Sequence, residues 1–238
     1  MLLEGRKISK RFGGVQALSE VDFHVEAGSI TALIGPNGAG KTTLFNIVAG
    51  AIKPSSGQTV FEGREITGLP ADEICRRGIA RTFQIVRPFA TMTCLENVLV
   101  AAVNRHPGRP RAALEAGARD LLAQVGLADL AGQEARHLNV VQKKLLELAR
   151  ALATEPRLLL LDEVLGGLNT QEILQAVEQI RRLRDRAGIT ILWIEHVMGA
   201  IMQAADRVIV LDQGRVLTAA TPREVVSDPR VIRAYLGE

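Results

Sequence analysis

A glycine-rich loop follows a short apolar run in the stretch Ile30-Thr31-Ala32-Leu33-Ile34-Gly35-Pro36-Asn37-Gly38-Ala39-Gly40-Lys41-Thr42. Residues 30–34 are typical of a buried strand. Residues 35–42 fit the spacing G-x-x-x-x-G-K-[ST], and residues 42–49 continue as a helix that is closed by Gly50. A strand, a glycine-rich loop and a helix in this order predict a phosphate-binding loop.

The residue types of this loop suit a triphosphate. Its glycines let successive backbone N–H groups turn toward one anion. Lys41 supplies a positive charge for the β- and γ-phosphates, and Thr42 offers a hydroxyl to Mg²⁺. The predicted nucleotide-contacting residues of the loop are Asn37, Gly38, Ala39, Gly40, Lys41, Thr42 and Thr43.

Two acidic residues end a later apolar run. Residues 158–161 are all leucine and indicate a buried strand, which Asp162 and Glu163 follow directly. Asp162 is placed to hold Mg²⁺ through the ion's coordination shell. Glu163 is placed to accept a proton from an attacking water. His196 follows a further apolar run at 190–194. We expect it to hydrogen-bond the γ-phosphate or the water near Glu163.

The composition is that of an ordinary globular protein. The 238 residues are 47% hydrophobic and 23% charged, which is enough for one large domain or for one core with an insertion. A net charge of +3 is too slight to demand a nucleic-acid partner. The aromatic residues are 3% of the chain and do not alternate with Lys or Arg, so we expect no nucleic-acid partner.

The cysteines and the N-terminus bear on the compartment. Neither Cys75 nor Cys94 lies in a CxxC pair or beside closely spaced histidines, so we expect two buried, reduced thiols and no zinc site. Charges stand at the N-terminus where a signal peptide has its apolar centre, and no window approaches 18 uninterrupted apolar residues. A cytoplasmic chain that reaches a membrane only through partners is expected.

The pattern of apolar residues predicts an α/β fold. Its core has a mostly parallel sheet, residues 1–30 form an N-terminal antiparallel β subdomain, and a helical subdomain is inserted at 84–154 within a single domain 1–238. Predicted strands cover 158–161, 190–194 and 208–211, with an edge strand at 58–62, and predicted helices cover 71–78, 94–103, 111–125 and 141–153.

The order of these motifs resembles the ABC ATPase family, whose fold is a P-loop NTPase core. The resemblance is carried by the loop at 35–42, by Gln84 in Arg81-Thr82-Phe83-Gln84, by Asp162-Glu163 and by His196 in Ile194-Glu195-His196. It implies ATP and Mg²⁺ as cofactors and an aromatic, Phe12, that stacks on adenine. The implied catalytic residues are Glu163, His196, Gln84 and Lys41, and the implied metal residues are Thr42, Gln84 and Asp162.

A closer likeness is to the ATPases of branched-chain amino acid importers. It is carried by Arg81-Thr82-Phe83-Gln84, Thr93-Cys94-Leu95-Glu96-Asn97-Val98, Gly167-Leu168-Asn169 and the terminal segment 228–238. It implies a second ATPase subunit of the same or a related chain, two integral membrane permeases that dock near residues 85–92, and an extracytoplasmic binding protein. Urea and amide importers are similar enough to remain alternatives.

One motif departs from the family pattern. Where most members have Leu-Ser-Gly-Gly-Gln, this chain has Leu138-Asn139-Val140-Val141-Gln142. In the family this signature reaches across a dimer to the γ-phosphate held by the other subunit. Asn139 and Gln142 still suit a capping box, but two β-branched side chains crowd the place where glycine admits a phosphate.

The altered signature leads to a hypothesis of asymmetry, in which this chain builds a competent site of its own and completes a weakened one on its partner. Simple drift within a tolerant subfamily is an alternative, and so is a regulatory module that scarcely hydrolyses ATP. A soluble ABC ATPase of DNA repair or translation is disfavoured, because the sequence has no long coiled-coil arm, zinc module or second ATPase unit.

Overall fold

The computed structural model describes residues 1–236; Gly237 and Glu238 of the predicted terminal segment lie outside the described residues. In chain order, its strands are β1 (Leu3–Phe12), β2 (Val15–Val25), β3 (Ile30–Ile34), β4 (Ser56–Phe61), β5 (Arg64–Glu65), β6 (Ile79–Arg81), β7 (Leu158–Asp162), β8 (Thr190–Ile194), β9 (Arg207–Asp212) and β10 (Arg215–Ala220). Its helices are α1 (Lys41–Val48), α2 (Ala71–Arg76), α3 (Cys94–Arg105), α4 (Arg111–Gln124), α5 (Val140–Leu152), α6 (Thr170–Ala187), α7 (Met198–Ala204), α8 (Pro222–Ser227) and α9 (Pro229–Leu236).

The central sheet has six strands in the order β10-β9-β3-β8-β7-β6, and only β10 pairs antiparallel to its neighbour. Ile194 lies opposite Leu33 on one side and opposite Asp162 on the other. The loops that follow β3, β7 and β8 therefore leave the same edge of the sheet. This register brings the glycine-rich loop, the two acids and His196 together, as the carboxyl ends of parallel strands do in open α/β sheets.

Alternating leucines divide the central sheet between two cores. Leu158 and Leu160 pack with Phe45 of α1 and with residues of the N-terminal strands. Leu159 and Leu161 pack on the opposite face with buried residues of α5 and α6. Successive side chains of a strand point to opposite faces, so an all-leucine strand is the expected sequence for one that is covered on both sides.

The N-terminal β region is confirmed as an antiparallel sheet, in the order β2-β1-β4-β5. The predicted edge strand at 58–62 is wrong in one respect, because β4 lies between β1 and β5. Glu62 and Gly63 both have positive φ angles, 51° and 73°, and turn the chain back as a two-residue hairpin loop. The short β5 that follows forms the edge instead.

The helices predicted between residues 94 and 153 are confirmed as α3, α4 and α5, with ends that differ by one or two residues. α3 and α5 each begin with a capping box, Thr93 with Glu96 and Asn139 with Gln142. The apolar sides of all three helices share a core with β7 and β8. The bounds 84–154 for an inserted subdomain stay a prediction.

Several features differ from the sequence predictions. The helix expected at 71–78 ends at Arg76, because Gly78 has a φ of 95° and leads into β6, a strand that was not predicted. Cys94 is buried as expected, but Cys75 is only half-buried; both thiols are free. No helix within residues 1–236 is long and apolar enough to cross a lipid bilayer.

Candidate nucleotide-binding site

The glycine-rich loop packs closely against neighbouring backbone. A Cβ atom at Gly35, whose φ is 149°, would lie 2.0 Å from the carbonyl oxygen of Leu211. One at Gly40, whose φ is 103°, would lie 2.7 Å from that of Ala17. Only glycine fits both places without strain. α1 begins at Lys41, so the N–H groups of its first turn, which have no partner within the helix, face the loop.

Lys41 is folded into this loop. Its Nζ atom donates to the carbonyl oxygens of Gly35 at 2.7 Å and Pro36 at 3.0 Å. Burial lowers the pKa of Lys41, and the nearby carboxylates of Glu163 and Asp162 partly oppose that change. The ammonium group therefore lies at the same edge of the sheet as both acids.

Two other predicted catalytic residues, Gln84 and His196, contact Glu163. Its Oε2 accepts a hydrogen bond from Gln84 Nε2 at 2.6 Å, and its Oε1 lies 2.8 Å from His196 Nε2. Its backbone has a φ of 50°, unusual for a residue other than glycine, and its N–H donates to the carbonyl of Ile194 at 3.0 Å. Such a backbone persists only where its surroundings fix it.

Asp162 has a partner that the sequence reasoning did not single out. Arg81 Nη2 donates to Asp162 Oδ2 at 2.7 Å, and Arg81 Nη1 donates to Asn46 Oδ1 on α1 at 2.5 Å. Arg81 and Asp162 have exposed side-chain fractions of only 8% and 3%. A basic residue at the end of a short apolar run was the one signal in the sequence. The pair fixes the metal candidate relative to α1.

The residues at this edge suit Mg²⁺ that arrives with a nucleotide. Thr42 offers a hydroxyl oxygen and Asp162 a carboxylate, the oxygen donors that this ion takes. No group of three or more His, Cys, Asp or Glu side chains within residues 1–236 is arranged to hold a metal. Mg²⁺ is commonly held by one or two carboxylates together with substrate phosphates, and the residues present fit that arrangement.

Phe12 and the signature lie apart from this cluster. Phe12 ends β1 with about half of its side chain exposed, and Lys10 Nζ lies 4.9 Å from its ring centre, so it is not a core residue. Asn139 Oδ1 accepts from the backbone of Gln142 at 2.8 Å, which confirms the predicted cap of α5. Within the described chain, the signature residues Leu138, Asn139, Val140, Val141 and Gln142 make no hydrogen bond to the glycine-rich loop or to Glu163.

Comparison with known proteins identifies the family. The sequence model described as "ABC transporter" matches residues 18–166, and the one described as "Branched-chain amino acid ATP-binding cassette transporter" matches residues 215–238. The high-affinity branched-chain amino acid transport ATP-binding protein BraF of Pseudomonas aeruginosa is 41% identical over 251 residues, covering 100% of this chain and 98% of the relative. LivG of Escherichia coli strain K12, whose name carries the same description, is 40% identical over 250 residues with the same coverage.

Solved structures agree with this likeness. A nucleotide-free ATP-binding cassette from an ABC transporter superposes with a TM-score of 0.89 at 32% sequence identity, covering 100% of this chain and 99% of that one. The ADP conformation of MJ1267, an ATP-binding cassette of an ABC transporter, superposes with a TM-score of 0.88, at the same identity and coverage. The chain belongs to the family of ABC transporter ATP-binding subunits, and it is an ATPase.

Proposed function

We propose that this chain powers an importer of branched-chain amino acids through Mg²⁺-dependent ATP hydrolysis at the interface of two ATPase subunits. The observation that carries the proposal is the combined likeness along the chain. Relatives named for branched-chain amino acid transport match it over its full length at 40–41% identity, and the C-terminal residues 215–238 match a model specific to that group. Urea and amide importers remain the alternative for the substrate.

The residues of the site divide the work of hydrolysis. Backbone N–H groups of the loop 35–42 and the Lys41 ammonium hold the phosphates. Bound Mg²⁺ supplies positive charge that offsets the charge developing on the phosphate oxygens. Thr42, Gln84 and Asp162 would hold that ion. Glu163 accepts a proton from the attacking water.

Gln84 and His196 orient the proton acceptor. Each bonds a different carboxylate oxygen of Glu163, at 2.6 Å and 2.8 Å, so the plane of the carboxylate is fixed. His196 serves in this arrangement with its proton on Nε2, and that one N–H passes from Glu163 to the γ-phosphate when it senses the triphosphate. Gln84 lies at the start of the segment that leads into the helices. Because it is bonded to Glu163, a movement of that segment is passed to the Glu163 carboxylate.

The signature belongs to the site of a second ATPase subunit. Val140 is 66% exposed at the first turn of α5, and the helix N-terminus beside it is capped but otherwise open. An exposed helix N-terminus that makes no bond to its own phosphate loop is suited to a phosphate held elsewhere. The partner is either a second copy or a related chain. Phe12 contributes its exposed ring to the adenine in this chain's own site.

An apolar surface on the residues that flank Gln84 is suited to the permeases. Phe83, Ile85 and Phe89 are large apolar side chains, and all three are exposed. An exposed patch of apolar side chains marks an interaction site. We assign this surface to the cytoplasmic helices of two integral membrane permeases. The chain then lies on the cytoplasmic side of the membrane as a peripheral subunit, and the extracytoplasmic binding protein acts through the permeases.

Reconstitution with neighbouring-gene permeases and their binding protein tests the substrate. ATP hydrolysis in vesicles is measured with the binding protein loaded with leucine, isoleucine or valine, and separately with urea or a short amide. Stimulation by the amino acids alone supports the proposal. Stimulation by urea or the amide alone assigns the chain to the other importer group, and omission of Mg²⁺ must abolish hydrolysis in either case.

The altered signature favours a second candidate, in which the two nucleotide sites are unequal. Val140 and Val141 replace the two glycines of the family pattern at the turn that faces the partner's phosphate. Glu163→Gln in this chain should then lower hydrolysis more than loss of the partner's catalytic acid does. Equal losses from both substitutions in the reconstituted transporter exclude unequal sites. A purified, assembled transporter that releases no phosphate at all supports the regulatory module instead.

A further inference from the structure

The turn at 164–167, which directly follows Glu163, is held from the side of α5 by a lysine. Lys144 Nζ donates to the carbonyl oxygen of Val164 at 3.1 Å and to that of Gly166 at 2.5 Å. A Cβ atom at Gly166 would touch the same ammonium at 3.6 Å. Burial lowers the pKa of Lys144, and Glu195 and Glu163 are the acids that oppose this change. The Lys144 ammonium thus donates to two backbone carbonyls in a partly desolvated place.

The same turn is held from the other side by a buried carboxylate. Glu195 ends up 2% exposed just after β8, and its Oε1 accepts from the backbone N–H of Leu165 at 3.0 Å. Its Oε2 accepts from the N–H groups of His196 at 2.8 Å and Val197 at 3.3 Å. One carboxylate therefore joins the turn after Glu163 to the backbone of His196.

The hydrogen bonds of Lys144 and Glu195 to this turn explain how Glu163 keeps an unfavourable backbone conformation. With a φ of 50°, it occupies a region that residues with a side chain rarely adopt, and its own N–H is bonded to Ile194. The next three residues then offer a carbonyl to Lys144, an N–H to Glu195 and another carbonyl to Lys144. Donors and acceptors alternate, so the turn cannot rotate without breaking at least one of these bonds.

We propose that Lys144 and Glu195 are positioning residues that hold the turn 164–167 and thereby keep the Glu163 carboxylate aligned with Gln84 and His196. Lys144 stands two residues beyond the signature on α5. A shift of that helix when the partner's nucleotide binds is therefore passed to the backbone that carries Glu163. This proposal rests on the assignment of Glu163 as the proton acceptor.

The test compares four variants in the reconstituted transporter: Lys144→Met, Lys144→Arg, Glu195→Gln and, as a matched control, Lys143→Met. Lys143 is the neighbouring lysine on α5, and no side-chain hydrogen bond of its ammonium occurs among residues 1–236. We expect Lys144→Met and Glu195→Gln to lower kcat at least about tenfold, with KM for ATP unchanged within about twofold. Lys144→Arg, which keeps the donors, should recover most of kcat, and the control should match the unaltered chain.

Two further measurements separate positioning from loss of the fold. Amide exchange at Leu165 in the full chain should speed up in Lys144→Met and Glu195→Gln but not in the control, while the fluorescence of Trp193, the one tryptophan, reports the folded fraction. The proposal is overturned if kcat per folded chain stays normal, or if Lys144→Arg behaves as Lys144→Met does.

Glu163→Gln, measured in parallel, distinguishes this proposal from the function on which it rests. Loss of hydrolysis in Glu163→Gln with normal rates in Lys144→Met and Glu195→Gln rejects the positioning role and leaves the function intact. A normal rate in Glu163→Gln itself shows that the proton acceptor lies elsewhere, and the positioning role falls with it.

Discussion

Arg81 on β6 and Asp162 on β7 form a buried ion pair, with 2.7 Å between Nη2 and Oδ2. The two strands are neighbours in the central sheet, and Arg81 lies opposite Leu160 in the parallel register. The arginine also bonds Asn46, so α1, β6 and β7 meet at one guanidinium group. The phosphate loop and the metal candidate are thereby held in a fixed relation.

Removal of this guanidinium should destabilise the fold strongly. In Arg81→Met the Asp162 carboxylate stays buried without its partner, and breaking one side of a buried pair costs about 3–5 kcal/mol. The free energy of unfolding is measured in urea from Trp193 fluorescence. Arg76→Met is the control, since Arg76 pairs with Asp72 at 2.6 Å but both side chains are 65% exposed. It should cost less than about 1 kcal/mol; equal costs for both variants contradict the prediction.

A histidine substitution tests the alignment of the proton acceptor. His196→Ala removes one of the two side-chain bonds to Glu163, and we expect kcat for ATP hydrolysis to fall about 10²-fold while nucleotide binding is nearly unchanged. His106→Ala is the matched control, because its Nε2 also lies 2.9 Å from a carboxylate, that of Glu155, which is not one of the site residues. Steady-state hydrolysis and nucleotide titrations give both quantities. A similar fall in the two variants means that His196 has no special part in the reaction.

The parts of the site that local sequence determines were predictable. The loop 35–42 is contiguous, and Glu163 and His196 each follow an apolar strand, so a parallel sheet alone brings them to one edge. The pairing of Arg81 with Asp162 was not predictable. It depends on the register of β6, a strand of three residues that is too short to show a period.

The contacts of Lys144 and Glu195 with the turn after Glu163 were not predictable for a similar reason. Lys144 looks like a solvent-facing lysine of an amphipathic helix, and Glu195 looks like one more polar residue after a strand. Their roles come from contacts across 20 to 30 positions of the chain, Lys144 with Val164 and Glu195 with Leu165. No periodic pattern carries that information.

The buried carboxyl of Glu147 should make stability depend on pH. Desolvation raises the pKa of Glu147, against the opposing effects of a hydrogen bond from the Phe83 N–H and the charges of Arg150 and Arg81. The folded state then binds the proton more tightly than the unfolded state. Its contribution is fully present below the unfolded pKa near 4.5 and is lost as pH rises through the higher folded pKa. Each unit between the two values is worth about 1.4 kcal/mol.

Glu147→Gln should remove this component, because the amide keeps an acceptor for Phe83 and has no proton to lose. The difference in free energy of unfolding between the variant and the unaltered chain is measured from pH 4 to pH 8, and it should move in favour of the variant as pH rises. Glu178→Gln, at an exposed position paired with Arg182, is the control for the removal of one carboxylate charge from the chain. A difference for Glu147→Gln that stays constant from pH 4 to pH 8, or that only repeats the difference of the control, rules out the effect.

Restoring the glycines of the signature should strengthen the partner's site. In Val140→Gly/Val141→Gly the capping box of Asn139 and Gln142 remains, so backbone N–H groups of the first turn of α5 keep their direction while the crowding side chains are gone. The helix loses some stability, since a glycine within a helix costs about 0.5–1 kcal/mol relative to alanine. In a transporter whose second ATPase subunit is a related chain, hydrolysis should nevertheless rise, and more so when Glu163→Gln silences this chain's own site and leaves the partner's site as the one that turns over. Val140→Ala/Val141→Ala, which trims the side chains but keeps a Cβ atom at each position, should fall between the two. A rate that drops with each reduction in side-chain size means that the valines support the partner's site instead of weakening it.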